Sequence, residues 1–582
     1  MSSLRYFAYV VLVFSLFRLI ASSDTKSLCS STQHPSFCQD MFPYVEDVDV
    51  RYHGQHLLRK SLSRARQFLV LVDKEIAAAR QDSRISAASI QALEGCRDLS
   101  WLNIKHLVTV HGHGGHNEST STIGDRRVSE AHTLLITVLT NQQTCADTLK
   151  SSRTRISERV AEDTKLYSVV LSFFVKAWVR GAVGKDRVQS GSLPNWNQLR
   201  LFQEDKMEEF TTYKSVVGRR NINLDNDKNR HHRITVGEVV VVSRDGSGNF
   251  TSIRQAIAAA PENRQETEGY YMIYVKAGLY HEYLNVGPRK SYIAIVGDGI
   301  NKTVIIGNHS ALDGWGTFDS ATFIVYGPYF VGVDLTVQNT AGPSKGQAVA
   351  LTNAADQSTF YRCSFEGYQD TLFTHSNAQV FRECHIYGTV DFIFGNAGVL
   401  LDRCKIHPRL PLRGQRNEIT AQGRSHPDQK TGTFLHNCTV RASPEIYSVN
   451  YSVRTQLGRP RKEYSRTVVM NTYLDASIHP SGWDAWSGDF ALSTLYYAEY
   501  GNLGPGSDTS NRVKWPGVHI WNRTEAEQFL ATTFPMFLGE IVQLRESLYV
   551  MGMTGEVLRW SISLATTTAA QSQNLSNTVS ES

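Results

Sequence analysis

Two aspartates, Asp370 and Asp391, have the residue type and the spacing of a paired-carboxylate site. They are 21 positions apart, and two cysteines beside them, Cys363 and Cys384, are also 21 positions apart. If one coil of a repeating chain separates the cysteines, one coil also separates the aspartates, and their carboxylates lie side by side. Two carboxylates about 5 Å apart do not both ionise readily, so one can act as an acid and the other as a nucleophile. A cation beside one of them decides which takes each role.

Two glutamines follow nearly the same spacing. Gln347 precedes Gln369 by 22 positions, and Gln369 stands directly before Asp370. Amide N–H groups beside a carboxylate pair would stabilise a developing oxyanion. A structural ladder of stacked amides is the alternative for the glutamines, and a solvated turn is the alternative for each aspartate. The functional interpretation is favoured because all these residues fall on one spacing.

An internal repeat supplies the elements that would position this set. Four segments share the frame apolar-x-x-Cys-x-apolar, at Cys363, Cys384, Cys404 and Cys438, with steps of 21, 20 and 34 residues. A period near twenty residues built from strand-like units predicts an all-β parallel β-helix, with an insertion in its longest coil. Stacked positions would lie about 4.8 Å apart, within the Cα separation that disulfides tolerate. Disulfides Cys363–Cys384 and Cys404–Cys438 are therefore predicted, with four free buried cysteines as the alternative.

The strand pattern begins near Val239 and continues through the repeat. Short runs of β-branched and aromatic residues alternate there with Gly, Asn and Asp, and residues 331–337 are predicted as one strand. No comparable stretch alternates with helices, which disfavours a βαβ fold.

The first part of the chain has a helical period instead. Between residues 57 and 179 the apolar side chains recur at steps of three and four, which predicts an all-α four-helix bundle. Four cysteines belong to this part: Cys29, Cys38, Cys96 and Cys145. The first two would close a short loop, and the other two would join two helices. The loop from His111 to His116 contains no acidic or cysteine ligand, so a flexible glycine loop is preferred to a metal site.

Composition and charge narrow the class of protein. The 582 residues carry 60 Lys and Arg against 55 Asp and Glu, a net charge of +5 without a basic run, which disfavours nucleic-acid binding. An apolar stretch over residues 6–17, followed by small residues, predicts a secretory signal peptide over residues 1–23. The stretch is too short for stable membrane insertion, although a signal anchor is the alternative. Secretion permits disulfides, and the cysteines number eight.

A polar linker is predicted over residues 201–233. It contains the dibasic pair Arg219-Arg220, which is a candidate protease site in a secreted chain. Two solvated arginines are the alternative.

The region from about residue 239 to 525 resembles the plant pectin methylesterases. The motifs that carry the resemblance are Gly278-Leu-Tyr-His-Glu282, Gln347-Ala-Val-Ala-Leu351, Tyr368-Gln-Asp-Thr-Leu372, Asp391-Phe-Ile-Phe-Gly395 and Leu457-Gly-Arg-Pro460. The helical part is similar, more loosely, to the inhibitor-like pro-region of many such enzymes. The resemblance implies five parts: a signal peptide (1–23), an inhibitor-like pro-region (24–200), a linker (201–233), a right-handed parallel β-helix (234–537) and a divergent tail (538–582).

The resemblance also implies roles for the residues above. Asp391 would be the nucleophile on a methyl ester, and Asp370 would be the general acid and base. Gln369 would hold the oxyanion with help from Gln347, and Arg459 would pair with Asp391 and contact substrate. No metal or cofactor would be needed. The substrate would be methyl-esterified pectin of the cell wall, and the inhibitor-like region would be an intramolecular partner.

Two further positions concern the binding of substrate. Thr317 matches a Thr that contacts substrate in the family. Arg461 stands where the family usually has a Trp that stacks on a sugar ring, so stacking area is lost and a second cation is gained near the uronates.

Two alternative functions compete with pectin methyl ester hydrolysis. One is a pectin-binding wall protein that has lost turnover, suggested by Arg461 and the divergent tail. The other is a lyase or polygalacturonase, which would need a Ca²⁺ cluster or several glycosidic carboxylates. The paired aspartates and glutamines fit ester hydrolysis better than either alternative.

Overall fold

The computed structural model describes residues 25–42, 50–113, 125–149, 156–179 and 236–533. These residues belong to two compact units, one built mainly of helices and one mainly of strands. The predicted signal peptide, the linker with Arg219-Arg220 and the tail from residue 538 lie outside the described residues. The predictions about those three segments therefore stay predictions.

The helical unit contains two short helices followed by four long ones within the described residues. They are α1 (Thr25–Ser30), α2 (Pro35–Asp40), α3 (Val50–Gln81), α4 (Ala87–His113), α5 (Asp125–Leu149) and α6 (Ser157–Phe174), and a π-helical turn follows at Val175–Val179. Each long helix packs against two of the other three, so the predicted four-helix bundle is confirmed. The disulfides Cys29–Cys38 and Cys96–Cys145 are both formed. Within the described ranges, no helix has the length and apolar character needed to cross a membrane.

The second unit is a parallel β-helix of three sheets, as predicted. The eleven-stranded sheet contains β1 (Val236–Val242), β2 (Tyr270–Val275), β5 (Ile293–Gly297), β8 (Val331–Val333), β11 (Ser358–Tyr361), β14 (Ala378–Arg382), β17 (Gly398–Asp402), β20 (Gly432–His436), β23 (Arg466–Met470), β25 (Tyr496–Tyr500) and β26 (Val518–Ile520). The eight-stranded sheet contains β3 (Gly278–His281), β6 (Thr303–Gly307), β9 (Thr336–Asn339), β12 (Ser364–Glu366), β15 (His385–Gly388), β18 (Lys405–Pro408), β21 (Thr439–Val440) and β24 (Tyr473–Leu474). The seven-stranded sheet contains β4 (Leu284–Val286), β7 (Phe323–Val325), β10 (Leu351–Asn353), β13 (Leu372–Thr374), β16 (Ile393–Gly395), β19 (Asn417–Gln422) and β22 (Thr455–Gly458). Helix α7 (Ile253–Ala259) follows β1, and helix α8 (Arg523–Thr533) follows β26.

The repeated cysteine frame marks one corner of each coil. The residues directly before the four cysteines, Arg362, Glu383, Arg403 and Asn437, have φ of 49°, 54°, 53° and 52°. A left-handed residue there turns the chain from the eleven-stranded to the eight-stranded sheet. Each such residue costs roughly 1–2 kcal/mol, which the stacking of equivalent corners must offset.

The same corner corrects the prediction for residues 331–337. They form two strands, β8 and β9, because Asp334 has φ 55° and turns the chain between them. Hydrophobicity alone did not indicate the bend, since an Asp between Val333 and Leu335 also fits a single strand with one exposed side chain.

The predicted disulfides of the β-helix are wrong. Cys363, Cys384, Cys404 and Cys438 are all free and buried. The prediction considered the Cα separation only, whereas a disulfide also needs Cβ atoms about 3.5–4.5 Å apart. Parallel, in-register coils keep the Cβ atoms about as far apart as the backbones, near 4.8 Å. The thiols contact backbone carbonyls instead, for example Cys404 with Phe381 O at 3.3 Å and Cys438 with Leu401 O at 3.3 Å.

Candidate active site

The two aspartates lie on successive coils, directly before strands of the seven-stranded sheet. Leu372 in β13 is opposite Ile393 in β16, so the same register places Asp370 opposite Asp391. The amide of Asp370 donates to Val390 O at 3.0 Å, which fixes the two turns against each other. Both aspartates have left-handed φ, 60° and 51°, and both are buried, with 5% and 6% exposure. The spacing of 21 residues therefore corresponds to one coil.

Arg459 supplies the cation beside one member of the pair. Its Nε donates to Asp391 Oδ1 at 2.7 Å, and its Nη2 donates to Asp391 Oδ2 at 2.8 Å. A bidentate guanidinium–carboxylate contact of this kind favours the ionised carboxylate. Arg459 follows β22, and its amide donates to Thr420 O at 3.0 Å, so the sheet holds the backbone of the arginine in place.

Asp370 has the opposite electrostatic environment. Burial, and then the neighbouring carboxylate of Asp391, raises the pKa of Asp370 to about 8, although Arg461 and Arg459 oppose the rise. At neutral pH Asp370 therefore keeps its proton, next to the carboxyl group that Arg459 binds. Such a pair can combine an acid and a nucleophile, as the spacing predicted.

The glutamines flank the aspartates on the same sheet. Leu351 is opposite Leu372, and the amide of Ala348 donates to Gln369 O at 3.2 Å. Gln369 is therefore opposite Ala348, and Gln347 is displaced by one residue along the chain, which accounts for a spacing of 22 instead of 21. Both glutamine side chains are half-buried. Among the described residues, neither side-chain amide has a hydrogen-bond partner, so both can donate to a ligand.

The predicted substrate-contacting residues lie at two places along this sheet. Thr317 precedes β7, one coil before Gln347, and its carbonyl accepts from Ser320 Oγ at 2.8 Å. Arg461 lies two residues after Arg459, with its guanidinium over the ring of Phe394 at 4.9 Å. The structure thus places Arg461 beside the aspartate pair and Thr317 two coils away from Asp370.

Glu418, a buried acid next to this cluster, was not predicted from the sequence. Glu418 is fully buried in β19, next to the carboxyl group of Asp484. Burial raises the pKa of Glu418 well above its usual value; Arg459 opposes this, and Asp484 adds to it. Register places Glu418 one coil after Asp391, because Ile393 is opposite Thr420. The inserted residues of that coil make the spacing 27 instead of about 21, so the repeat did not reveal it.

A half-exposed aromatic ring was also missed. The guanidinium of Arg459 lies over the ring of Trp486 at 4.6 Å, and Trp486 is 39% exposed. The ring therefore covers one face of the cation while leaving apolar surface open to a ligand. The sequence does not show that the loop of Trp486 lies next to Arg459, so the contact could not be predicted.

In the described ranges, no group of three or more His, Cys, Asp or Glu side chains is arranged to hold a metal ion. The prediction that the reaction needs no metal or cofactor stays a prediction.

Comparison with known proteins gives one result for each unit. A sequence model of the pectinesterase family matches residues 239–537, and a model of the plant invertase/pectin methylesterase inhibitor family matches residues 23–173. The "Probable pectinesterase/pectinesterase inhibitor 20" of Arabidopsis thaliana is 47% identical over 536 residues, which cover 90% of this chain and 92% of that protein. The "Pectinesterase 2" of Citrus sinensis is 39% identical over 512 residues, covering 88% and 90%. Among solved structures, a pectin methylesterase from carrot is 49% identical with a TM-score of 0.48, covering 49% of this chain and 89% of that one.

Proposed function

The chain belongs to the pectinesterase family and carries an N-terminal domain of the pectin methylesterase inhibitor family, and on that premise we propose that it hydrolyses the methyl esters of cell-wall pectin. The products are de-esterified pectin, methanol and a proton. The observation that carries the proposal is the carboxylate pair: Asp391 is held in a bidentate contact by Arg459, beside a buried Asp370 whose pKa is raised. The enzyme class is EC 3.1.1.11, and the site of action is the cell wall after secretion.

The first half of the reaction transfers the acyl group to the enzyme. The carboxylate of Asp391, kept ionised by Arg459, attacks the carbonyl carbon of the methyl ester. Gln369 and Gln347 donate amide N–H groups to the oxyanion that forms. The bond to the methoxy oxygen then breaks, Asp370 gives that oxygen its proton, and methanol leaves. Asp391 and the uronate carbonyl are now joined as an anhydride.

The second half returns the enzyme to its starting state. Asp370, now ionised, takes a proton from a water molecule whose oxygen bonds to the uronate carbonyl carbon. The anhydride bond breaks, and Asp391 leaves as a carboxylate. The new uronic acid releases its proton to solvent. The negative charge has moved from Asp391 to Asp370 and back, so Arg459 and Arg461 face one anion at each stage.

Substrate binding uses residues on both sides of the pair. Arg459 holds Asp391 against the reacting unit. Gln347 contacts both the oxyanion and the bound sugar. Thr317 binds a unit farther along the seven-stranded sheet. Arg461 binds the neighbouring unit on the side of Phe394.

The competing proposal is a pectin-binding protein without turnover. It predicts binding of pectin by the secreted protein with no methanol release under any processing state. The raised pKa of Asp370, next to the Asp391 that Arg459 holds in a bidentate contact, favours catalysis, since binding alone has no use for such a buried pair of carboxyl groups. Methanol release from esterified pectin by the unmutated protein, measured both uncut and cut at the linker, distinguishes the two proposals.

The oxyanion role of Gln369 gives a kinetic prediction. Gln369→Ala should lower kcat by about 10²–10³, corresponding to about 2.7–4 kcal/mol for one donor, with little change in KM. An oxyanion donor acts on the transition state, whereas a ground-state contact would raise KM. Gln338→Ala is the matched control, because Gln338 is a half-buried glutamine on the eight-stranded sheet that bonds Glu366 at 2.9 Å. An unchanged kcat with a raised KM would contradict the assignment.

The inhibitor-family domain suggests control of the enzyme by its own chain. We propose that this domain keeps the catalytic unit inactive until the linker is cut near Arg219-Arg220. Tethering gives the domain a high effective concentration, near millimolar for a flexible linker, so that even weak contacts keep a site occupied. After the cut, the domain can diffuse away.

The test compares three forms of the protein made in plant cells: uncut, cut at the linker, and the double variant Arg219→Gln/Arg220→Gln. We expect the uncut protein and the double variant to release methanol at least about tenfold more slowly than the cut protein, as mass action at that effective concentration allows. Full activity in a demonstrably uncut protein would contradict silencing. Normal processing of the double variant would place the cleavage site elsewhere.

A further inference from the structure

Glu418 is a buried acid that the proposed reaction does not use. The residue has no exposed surface, and its strand, β19, lies between β16 and β22, so that register places Glu418 between Asp391 and Gln456. The amide of Glu418 donates to Thr389 O at 3.1 Å, and its carbonyl accepts from Phe392 N at 3.2 Å. The sheet therefore holds this carboxyl group at a fixed place, one coil after the aspartate pair.

The charged and titratable groups around Glu418 come from several elements. Arg459 follows β22, Asp484 lies between β24 and β25, and Asp391 precedes β16. The phenol of Tyr497, in β25, also interacts with the carboxyl group. The cation among these groups, Arg459, is already engaged by both oxygens of Asp391. Arg459 therefore offers Glu418 only partial compensation for its burial.

The carboxyl group of Glu418 contacts that of Asp484. Two carboxyl groups in contact do not both ionise readily, so a proton lies between them. Asp484 is the better stabilised anion, because Arg416 contacts its Oδ2 at 2.5 Å and Ala485 N donates to its Oδ1 at 3.0 Å. Burial raises the pKa of Glu418 well above its usual value. The proton therefore belongs to Glu418, whose O–H donates to the carboxylate of Asp484.

Asp484 is also the residue at which a loop returns to the β-helix. Its amide donates to Gly458 O at 3.0 Å, directly before Arg459 in the chain. Two residues after Asp484, the ring of Trp486 lies 4.6 Å from the guanidinium of Arg459, and residues 487–490 are exposed. The contacts of Asp484 therefore determine where Trp486 lies against Arg459.

We propose that Glu418 is a positioning residue whose carboxyl group donates a hydrogen bond to Asp484 and thereby holds the loop of Trp486 against Arg459. The inference rests on the proposed function, in which Arg459 holds the nucleophile. Loss of the proton at alkaline pH places two anions in contact, and the ionised Glu418 competes with the nucleophile for Arg459. The loop then moves away from the sheet, and activity falls independently of Asp370.

The experiment uses the full chain made in plant cells, measured after the linker is cut, and compares the wild type with two substitutions. Glu418→Gln keeps the shape and a donor for Asp484 but does not ionise, whereas Glu418→Leu has no donor. At neutral pH, Glu418→Leu should lower kcat/KM for methanol release from esterified pectin by about tenfold, as one lost hydrogen bond to a charged group implies. Glu418→Gln should stay within about twofold of the wild type, because the bond persists.

The dependence on pH separates this role from a purely structural one. From neutral to alkaline pH, the kcat/KM of the wild type should fall by about tenfold relative to that of Glu418→Gln, because the wild type alone can lose the proton. Ionisation of Asp370 affects both proteins alike and cancels in this ratio. Asp484→Asn should also remove the relative fall, since an amide accepts from the acid and donates to the carboxylate.

Hydrogen exchange of the loop reports the bond without reference to turnover. The peptide covering residues 482–490 should exchange about tenfold faster in Glu418→Leu than in the wild type at neutral pH. At alkaline pH the wild type should lose the same protection relative to Glu418→Gln, and the chemical effect of pH on exchange cancels in that comparison. Asp402→Asn is the matched control, because Asp402 is a buried acid of β17 in the eleven-stranded sheet. It should leave the exchange of the loop unchanged.

The exchange of the loop distinguishes failure of this inference from failure of the proposed function. If the wild type releases no methanol but the exchange follows the expected pattern, the bond between Glu418 and Asp484 stands and the proposed function fails. If Glu418→Leu matches the wild type in both exchange and kcat/KM, the inference is overturned while the esterase function stands. Faster exchange with unchanged activity would overturn the positioning role. An equal fall of activity with pH in the wild type and in Glu418→Gln would overturn it as well.

Discussion

Asp391→Ala should reduce methanol release from esterified pectin by at least about 10⁴-fold, because the variant has no nucleophile to form the acyl intermediate. The fold should persist, since Asp391 occupies a corner of its coil and the core positions beside it, Phe392 and Ile393, are unchanged. The measurement is initial-rate methanol release by the cut, purified protein. A circular dichroism spectrum establishes that the variant is folded.

The chain offers a closely matched control in Asp334. Arg362 holds Asp334 by the same two-point contact, with Nε to Oδ1 at 2.9 Å and Nη2 to Oδ2 at 2.6 Å, and Asp334 also has left-handed φ, 55°. Asp334→Ala therefore removes an equivalent ion pair from a corner that precedes the eight-stranded sheet. It should lower stability without a comparable loss of turnover. Methanol release within a few-fold of wild type in Asp391→Ala would remove Asp391 from the mechanism.

The arrangement of the aspartate pair could be predicted because a solenoid converts sequence distance into spatial distance. One coil of 21 residues separates Cys363 from Cys384 and Asp370 from Asp391, and register confirms that both pairs stack. In most folds, two residues 21 positions apart have no fixed relation. Here the repeat alone was sufficient to bring the carboxylates together.

Residue spacing did not predict the features that depend on the direction of a Cα–Cβ bond or on a coil of irregular length. Cys363 and Cys384 stack as predicted, but their parallel Cα–Cβ bonds prevent a disulfide, and spacing carries no information on bond direction. Glu418 escaped notice because the residues inserted into its coil shift its number away from the repeat. Trp486 reaches Arg459 through a loop, and loops do not follow the period. The sequence thus predicted the stacked residues but not the side chains that irregular segments bring to them.

Asp370→Asn should lower kcat by about 10²–10⁴, because the amide has the same shape as the carboxyl group but cannot give methanol a proton. The wild type needs Asp370 protonated for acyl transfer, so its activity should fall as the pH rises through about 8, the raised pKa of this group. The residual activity of the variant should lack that decline. A decline near the same pH in Asp370→Asn would assign it to another group and remove Asp370 as the acid.

The same substitution should stabilise the protein, and the change of the free energy of unfolding with pH shows the direction of the effect. An unfolded Asp has a pKa of about 3.9, whereas the folded pKa of Asp370 is raised to about 8. Between these values the native state binds a proton that the unfolded state releases, so the free energy of unfolding falls with increasing pH. This loss of stability is absent below about pH 4 and complete above about pH 8. Asn does not titrate, so the melting temperature of Asp370→Asn should exceed that of the wild type by an amount that grows across this range.

Asp402 provides a control of opposite sign. Burial alone would raise its pKa, but Arg382 and His436 hold the pKa of Asp402 below its usual value. Its carboxylate therefore stabilises the protein at neutral pH, and that contribution is lost as the pH falls through the folded pKa. Asp402→Asn should lower the melting temperature at pH 7, and the difference from the wild type should shrink in acid. If Asp370→Asn also lowered the melting temperature at pH 8, Asp370 would be ionised in the native state. Glu418 or a solvent molecule would then have to give methanol its proton.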